Sequence, residues 1–202
     1  SGGDDLAELL AAADAEQAAL GLDTAALLPY RAAFDTFAAA YLAWLHEHEA
    51  EGWRYRSGEV DRRCAPPDLD GVVLDGRLDR VDVHADGAAM LIDYKTGSRE
   101  KVKQRLAEPL EDTQLAFYAA LLTDEGSDTA PRAIYLSLAE REAPKPFEHE
   151  DVALSAALLV DGLSADLDAL RRGAGAPASG EGEVCRTCEM RGLCRRDHWK
   201  AE

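Results

Sequence analysis

The sequence predicts an α/β fold that ends in a cysteine-rich tail. Apolar residues recur with helical spacing before residue 50 and after residue 150, whereas β-branched residues and alternation mark strands between residues 53 and 95. Three of the four cysteines lie between residues 185 and 194. With 202 residues, the chain is long enough for one domain with its own core and a short appendage.

Two helices are predicted ahead of the sheet. Residues 6–20 are rich in Ala, Leu and Glu, and Gly21 favours termination after them. A second helix is predicted to open at Pro29 and to run to His46, because aromatic and aliphatic residues recur there every three or four positions. We expect this apolar stripe to pack against a core.

The sheet is predicted to begin at Trp53 and to contain a hairpin formed by residues 72–84 and 89–95. Its turn falls at residues 85–87, which end in a glycine. A further strand is predicted over residues 133–138, where aliphatic and aromatic residues run together.

The register of the hairpin decides whether its acidic residues meet. If the turn has three residues, His84 pairs with Ala88, and Asp79 faces Asp93 across the two strands. Lys95 then leaves the same face of the sheet, within diagonal reach of the acids. A two-residue turn would separate this cluster.

After the hairpin, the sequence predicts a basic loop and two more helices. Residues 99–105 carry four Lys or Arg side chains and are predicted to form the loop. A helix capped by Asp112 or Thr113 runs to about Leu122, and a longer helix spans residues 152–170.

Small residues over positions 173–183 predict a linker into the cysteine tail. We therefore expect three parts: an N-terminal helical segment over residues 1–52, a core over residues 53–172, and the linker with the tail over residues 173–202.

The paired carboxylates of Asp79 and Asp93 point to a metal site. Two unpaired carboxylates side by side repel each other and raise one pKa, unless a cation lies between them. Mg²⁺ binds one or two carboxylates and keeps water molecules that can act as nucleophiles, and Lys95 could orient such a water. The alternative is that Asp79 forms ordinary ion pairs with Arg80 or Lys95 on a solvated face.

Charge and cysteine usage restrict the function further. The sequence has 22 Lys and Arg against 39 Asp and Glu, a net charge of −17, which argues against a long binding footprint on nucleic acid. No stretch approaches the roughly 18 apolar residues of a membrane span. Clustered cysteines without a secretory signal indicate a reducing, cytoplasmic location. Because the sequence begins with Ser1 rather than Met, we expect it to be part of a longer protein.

Three motifs together resemble the PD-(D/E)XK nuclease superfamily, specifically its RecB-like exonuclease branch. They are GRLDRVD at residues 76–82, IDYKTG at residues 92–97 and QLAFY at residues 114–118. The resemblance implies a restriction-endonuclease-like core, in which helices flank a mixed central β-sheet.

The resemblance also implies roles for individual residues. Asp79 and Asp93 would be metal ligands together with the main-chain carbonyl of Tyr94, and Lys95 would be the catalytic lysine. Gln114 and Tyr118 match the family's Q-x-x-x-Y helix, where both side chains point at the metal centre or the DNA strand. Glu59 matches an acidic residue that precedes the hairpin in such proteins.

RecB-like nucleases usually carry a metal-binding His on a helix ahead of the hairpin, in a G-x-x-x-H setting. The sequence around His46 and His48 does not match that setting, so we expect both to lie at an exposed helix end. We expect the family's His-bearing helix to lie upstream of Ser1.

The cysteine tail has the spacing Cys185-x2-Cys188-x5-Cys194, which is a strong metal-ligand signature. It resembles the tail of AddB-type nuclease subunits, in which three such cysteines and one upstream cysteine hold a [4Fe-4S] cluster. Cys64 is the upstream candidate in this chain. Alternatively, His198 completes a Cys₃His zinc site.

The function implied by this resemblance is a Mg²⁺- or Mn²⁺-dependent DNA exonuclease. Such a domain would belong to a helicase-nuclease type protein of DNA repair and recombination. A helicase partner or further domains would then supply most of the affinity for DNA. The alternatives are a catalytically incomplete scaffold that binds DNA ends or a partner protein, and a zinc-stabilised interaction domain.

Overall fold

A computed structural model of the protein describes residues 2–107, 111–122, 129–138, 143–175, 185 and 188–194. The chain divides into two compact units, Ser1–Gly162 and Leu163–Glu202. The three-part division expected from the sequence stays a prediction.

The first unit contains a five-stranded sheet with the strand order β1-β2-β3-β4-β5. Strands β3 and β4 are parallel and the other neighbours are antiparallel, so the sheet is mixed, as predicted. The strands are β1 Trp53–Cys64, β2 Leu74–His84, β3 Ala89–Lys95, β4 Arg132–Ser137 and β5 Lys145–Glu148. Strand β5 was not predicted, because it has only four residues and one of them is a proline. Proline is tolerated in strands at the edge of a sheet, which is where β5 lies.

The longer helices of the described residues lie before, between and after the strands in the sequence. They are α1 Gly2–Ala19, α2 Thr24–Ala50, α3 Arg99–Ala107, α4 Gln114–Leu122 and α5 Val152–Arg171. Helix α2 is longer than predicted at both ends. It begins ahead of Pro29 because the side chain of Asp23 accepts a hydrogen bond from the amide of Ala25 and caps the first turn.

The prediction of a loop over residues 99–105 was wrong, because these residues form most of α3. Lys, Arg, Gln and Glu are good helix formers, and the carbonyl of Ser98 accepts a hydrogen bond from the amide of Val102 at 3.2 Å. Val102 is buried, which attaches the helix to the core.

The hairpin has the predicted three-residue turn. The amide of His84 donates to the carbonyl of Ala88 at 2.9 Å, and Gly87 has a φ of +90°. Arg80 pairs with Ile92 in the same register, so the position of Asp79 is brought opposite that of Asp93, as predicted.

The two faces of the sheet are covered by different helices. On one face, Tyr41 and Trp44 of α2 pack against an apolar cluster that includes Trp53 and Ile134. Helix α4 packs against strands β1 to β4 on the other face. Its buried residues are Leu115, Ala116, Ala119, Ala120, Leu121 and Leu122. Among the described helices, none has the length and apolar composition to span a membrane.

In the second unit, the structure describes the end of α5 and a single helical turn, Arg191–Cys194. The amide of Cys194 donates to the carbonyl of Met190 at 2.8 Å, which closes this turn. Cys188 is exposed, whereas Cys185 and Cys194 are half-buried. The zinc alternative includes His198, which lies outside the described residues.

Candidate active site

Four predicted site residues form one hydrogen-bonded cluster between β3 and α4. Lys95 Nζ lies 2.6 Å from Asp93 Oδ2 and donates to Gln114 Oε1 at 2.8 Å. Gln114 Nε2 donates to Asp93 Oδ1 at 2.7 Å and contacts the Tyr118 hydroxyl at 3.2 Å. Gln114 and Tyr118 reach the same place because residues four apart share one face of a helix.

The second predicted carboxylate lies beside this cluster. Asp79 Oδ2 accepts a hydrogen bond from the main-chain amide of Tyr94 at 3.0 Å. This contact ties Asp79, at the end of the β2–β3 ladder, to the residue that follows Asp93.

The electrostatic environment of Asp93 is typical of a functional carboxylate. Asp93 is 2% exposed, and this burial raises the pKa of its carboxyl group above the ordinary value. The charge of Asp79 raises this pKa further, while Lys95 and Arg105 act in the opposite direction. A second negative charge in a buried site thus disfavours the ionised form of Asp93.

An atom of this carboxylate also lacks a regular partner. Asp93 Oδ2 is buried and has no hydrogen bond of regular geometry among the described residues, although the ammonium of Lys95 lies 2.6 Å from it. The nearby ammonium compensates the negative charge of this oxygen, and a further cation or donor can still use its remaining lone pairs. Together with Asp79, this oxygen fits the preference of Mg²⁺ and Mn²⁺ for carboxylate ligands.

Within the described part of the chain, however, no three or more His, Cys, Asp or Glu side chains are grouped so that they could hold a metal ion. The side-chain ligands available at the hairpin are therefore the two carboxylates. Water and main-chain carbonyl oxygens would complete the coordination, as Mg²⁺ sites commonly require.

A layer of residues under Lys95 was not predicted as part of the site. The ammonium of Lys95 lies 4.9 Å from the centre of the Tyr135 ring. The Tyr135 hydroxyl donates to Asp112 Oδ1 at 2.7 Å, and Arg105 Nη1 lies 2.7 Å from Asp112 Oδ2. Asp112 was expected only as a helix cap, and a buried tyrosine in an apolar strand gives no separate signal in the sequence.

Ser137 is a second unforeseen neighbour. It pairs with Lys95 in the parallel ladder, and its side chain is completely buried. Its hydroxyl has no hydrogen-bond partner within the part of the chain that the structure describes.

The expectation of an exposed helix end holds for His46 and is wrong for His48. His46 is about half exposed and pairs with Asp5 at 3.0 Å. His48 is 6% exposed, and its Nε2 lies 2.8 Å from Asp82 Oδ2. Because α2 extends beyond His46, His48 is carried into the core instead of the solvent.

Stacking explains why His48 is held there. Its ring lies between Trp44, at 4.9 Å between centroids, and Trp53, at 5.7 Å, with nearly parallel planes on both sides. His48 therefore belongs to the sheet face covered by α2, and the signal that could have revealed it is the Trp-x-x-x-His spacing on one helix face.

Two further predicted residues of the first unit, Glu59 and Cys64, have other partners. Glu59, with a φ of +48°, is exposed and forms an ion pair with Arg77 at 3.2 Å. Cys64 ends β1 and is buried, and its Sγ donates to the carbonyl of Ala120 in α4 at 3.5 Å. None of the four cysteines forms a disulfide.

A mixed sheet that brings two carboxylates, a lysine and a glutamine together is chemically suited to metal-dependent phosphodiester hydrolysis. The family model of the PD-(D/E)XK nuclease superfamily matches residues 1–195, and the chain belongs to this superfamily. Membership implies metal-dependent hydrolysis of DNA, generally with Mg²⁺ or Mn²⁺. The predicted superfamily and the restriction-endonuclease-like fold are thus confirmed. None of the curated proteins matches the sequence.

Proposed function

We propose that the protein is a Mg²⁺-dependent deoxyribonuclease, specifically an exonuclease domain of the RecB-like branch that acts on DNA ends. The observation that carries this proposal is the direct connection of Asp93, Lys95 and Gln114 beside Asp79. Each of these residues comes from a different motif or strand position, and the fold brings them together.

The residues have separate tasks in the proposed reaction. Asp79, Asp93 and the main-chain carbonyl of Tyr94 would hold Mg²⁺ or Mn²⁺. The metal, when bound, supplies charge stabilisation at the phosphate and lowers the pKa of the attacking water. Lys95 orients that water and neutralises negative charge that develops on the phosphate.

Gln114 and Tyr118 keep this arrangement in place. Gln114 contacts both the carboxylate of Asp93 and the ammonium of Lys95, so it fixes the distance between the two. The hydroxyl of Tyr118 supports the amide of Gln114 and lies on the same helix face, from which it can contact a bound DNA strand.

Helix α3 supplies local positive charge next to this site. It carries four Lys or Arg and one Glu, a net charge of 4 − 1 = +3, in a chain whose net charge is −17. Lys103 and Arg105 are about half exposed and can meet a phosphate backbone. Since the rest of the chain is acidic, a helicase partner or further domains of a DNA repair and recombination protein would supply most of the affinity.

The cysteine tail has a proposed structural role. Cys185, Cys188 and Cys194, together with Cys64, would hold a [4Fe-4S] cluster, and zinc with His198 is the alternative. Elemental analysis of anaerobically purified protein distinguishes the two, because an iron-sulfur cluster contains iron and acid-labile sulfide whereas a zinc site contains neither.

Cleavage of internally labelled DNA tests the proposed function. Linear and circular substrates, each single- and double-stranded, are incubated with Mg²⁺ or Mn²⁺ and the parent, Lys95→Ala or Asp93→Asn protein. We expect linear DNA alone to be degraded and both variants to be inactive. Arg63→Ala is the matched control, because it removes one positive charge from an exposed side chain of β1.

Two outcomes would contradict the proposal. Cleavage by purified Lys95→Ala protein at the parent rate would show that the activity does not use this site. Binding of DNA ends by the parent protein without cleavage in either metal would instead support the scaffold alternative.

A further inference from the structure

A buried polar network lies on the sheet face covered by α2. Arg80 binds Asp82 through two hydrogen bonds, from Nε to Oδ1 at 2.7 Å and from Nη2 to Oδ2 at 2.9 Å. Asp82 Oδ2 also contacts His48 Nε2 at 2.8 Å. Arg80 is 7% exposed and Asp82 is completely buried, so these charges are shielded from water.

The network continues to the catalytic strand. Arg80 Nη1 donates to the Tyr41 hydroxyl at 3.1 Å, and that hydroxyl lies 3.1 Å from the Tyr94 hydroxyl. Hydrogen bonds thus connect α2, β2 and β3 across one face of the sheet.

The sequence positions of two members connect the network to the metal site. Arg80 directly follows Asp79, and Tyr94 lies between Asp93 and Lys95. Because successive side chains of a strand point to opposite faces, a side chain held on one face sets the orientation of its neighbours on the other. The amide of Tyr94 is also the donor to Asp79 Oδ2.

Stability alone does not account for this arrangement. Well-packed apolar residues often stabilise a core as well as a buried ion pair does, or better. What the bidentate contact between Arg80 and Asp82 adds is a fixed orientation of both side chains. Such an orientation matters where neighbouring atoms must meet a metal ion within a few tenths of an ångström.

We propose that the network of His48, Asp82, Arg80, Tyr41 and Tyr94 is a positioning device that sets the spacing of the Asp79 and Asp93 carboxylates from the opposite face of the sheet. This inference rests on the proposed function, because it assumes that the two carboxylates hold the metal. Arg80 and Tyr41 are positioning residues, because they act through Asp82 and Tyr94 on the sheet face opposite the two carboxylates.

Binding of Mn²⁺ alone, measured by titration calorimetry on the full chain, tests the proposal. Tyr41→Phe removes one hydroxyl on α2 and changes no group of the site, and Arg80→Lys keeps the charge but loses the bidentate contact. We expect each variant to weaken Mn²⁺ binding about 10-fold, the loss typical of outer-shell substitutions at metal sites.

Ile134→Val is the matched control, because Ile134 belongs to the core on the same face and takes no part in the hydrogen bonds. It should reduce stability slightly and leave Mn²⁺ affinity unchanged. If the network had a purely structural role, Tyr41→Phe would likewise lower stability and leave Mn²⁺ affinity unchanged.

Asp93→Asn separates the two proposals. If Asp93→Asn binds Mn²⁺ like the parent, the proposed metal site itself is wrong. If Asp93→Asn abolishes binding and Tyr41→Phe binds like the parent, the metal site stands and the positioning role is overturned. Tyr41→Phe alone decides the second point if Arg80→Lys does not fold.

Discussion

Gly76 is the point at which the packing of α4 on the sheet can be tested. A Cβ atom at Gly76 would lie 2.9 Å from Leu121 Cδ1, closer than real Cβ contacts allow, and 3.1 Å from Phe117 Cε1, closer than most of them. Overpacking of this kind costs about 1–3 kcal/mol. Alanine restricts the unfolded chain more than glycine does, which stabilises the protein by about 0.4–1 kcal/mol. From the middle of each range, Gly76→Ala should therefore lower the free energy of unfolding by about 1.3 kcal/mol.

Urea unfolding followed by tryptophan fluorescence measures this change, with an unchanged slope as the sign that the unfolded state is the same. Gly162→Ala is the control, because its Cβ would meet nothing within 4 Å. There the same substitution in a helix should stabilise the protein by up to about 1 kcal/mol. If Gly76→Ala were as stable as the parent, α4 would not be packed on β2 as described.

Three further predictions concern single side chains. Although burial opposes it, hydrogen bonds from His48 and Arg80 hold the pKa of Asp82 below its ordinary value. The ionised Asp82 therefore stabilises the fold above the unfolded-state pKa of about 3.9, and this contribution is lost as the pH falls. In urea unfolding, we expect Asp82→Asn to destabilise the protein at pH 7 and to do so less below about pH 4. Ser137→Ala should leave the melting temperature unchanged or raise it, since it removes a buried hydroxyl without a partner among the described residues. If Lys95 acts as proposed, Gln114→Leu should reduce DNA cleavage about 100-fold through misplacement of the Lys95 ammonium, while circular dichroism shows an intact fold.

The register of the hairpin formed by β2 and β3 could be predicted because it depends on neighbouring residues. A three-residue turn that ends at Gly87 fixes the pairing of His84 with Ala88, and alternation then decides which side chains share a face. The positions of Asp79 and Asp93 follow from these two facts.

The location of His48 could not be predicted in this way. Apolar periodicity in α2 ends near His46, where acidic residues begin, and a helix end with this composition is usually exposed. The structure continues the helix to Ala50 because Trp53 and Asp82, which are distant in sequence, provide a stacking partner and a carboxylate. Contacts of this kind depend on the tertiary fold and override local preference.

The two polar clusters depend on each other because they use the same two strands. Asp79 and Arg80 are consecutive, as are Asp93 and Tyr94, and in each pair one residue belongs to the site and the other to the network beneath α2. An apolar substitution in the network would leave a buried charge unpaired, while a shift of the strand would separate the carboxylates. The short motifs of this sequence therefore meet two structural requirements: they place the carboxylates and Lys95 together on one face of the sheet, and they bind the strands to α2 on the other.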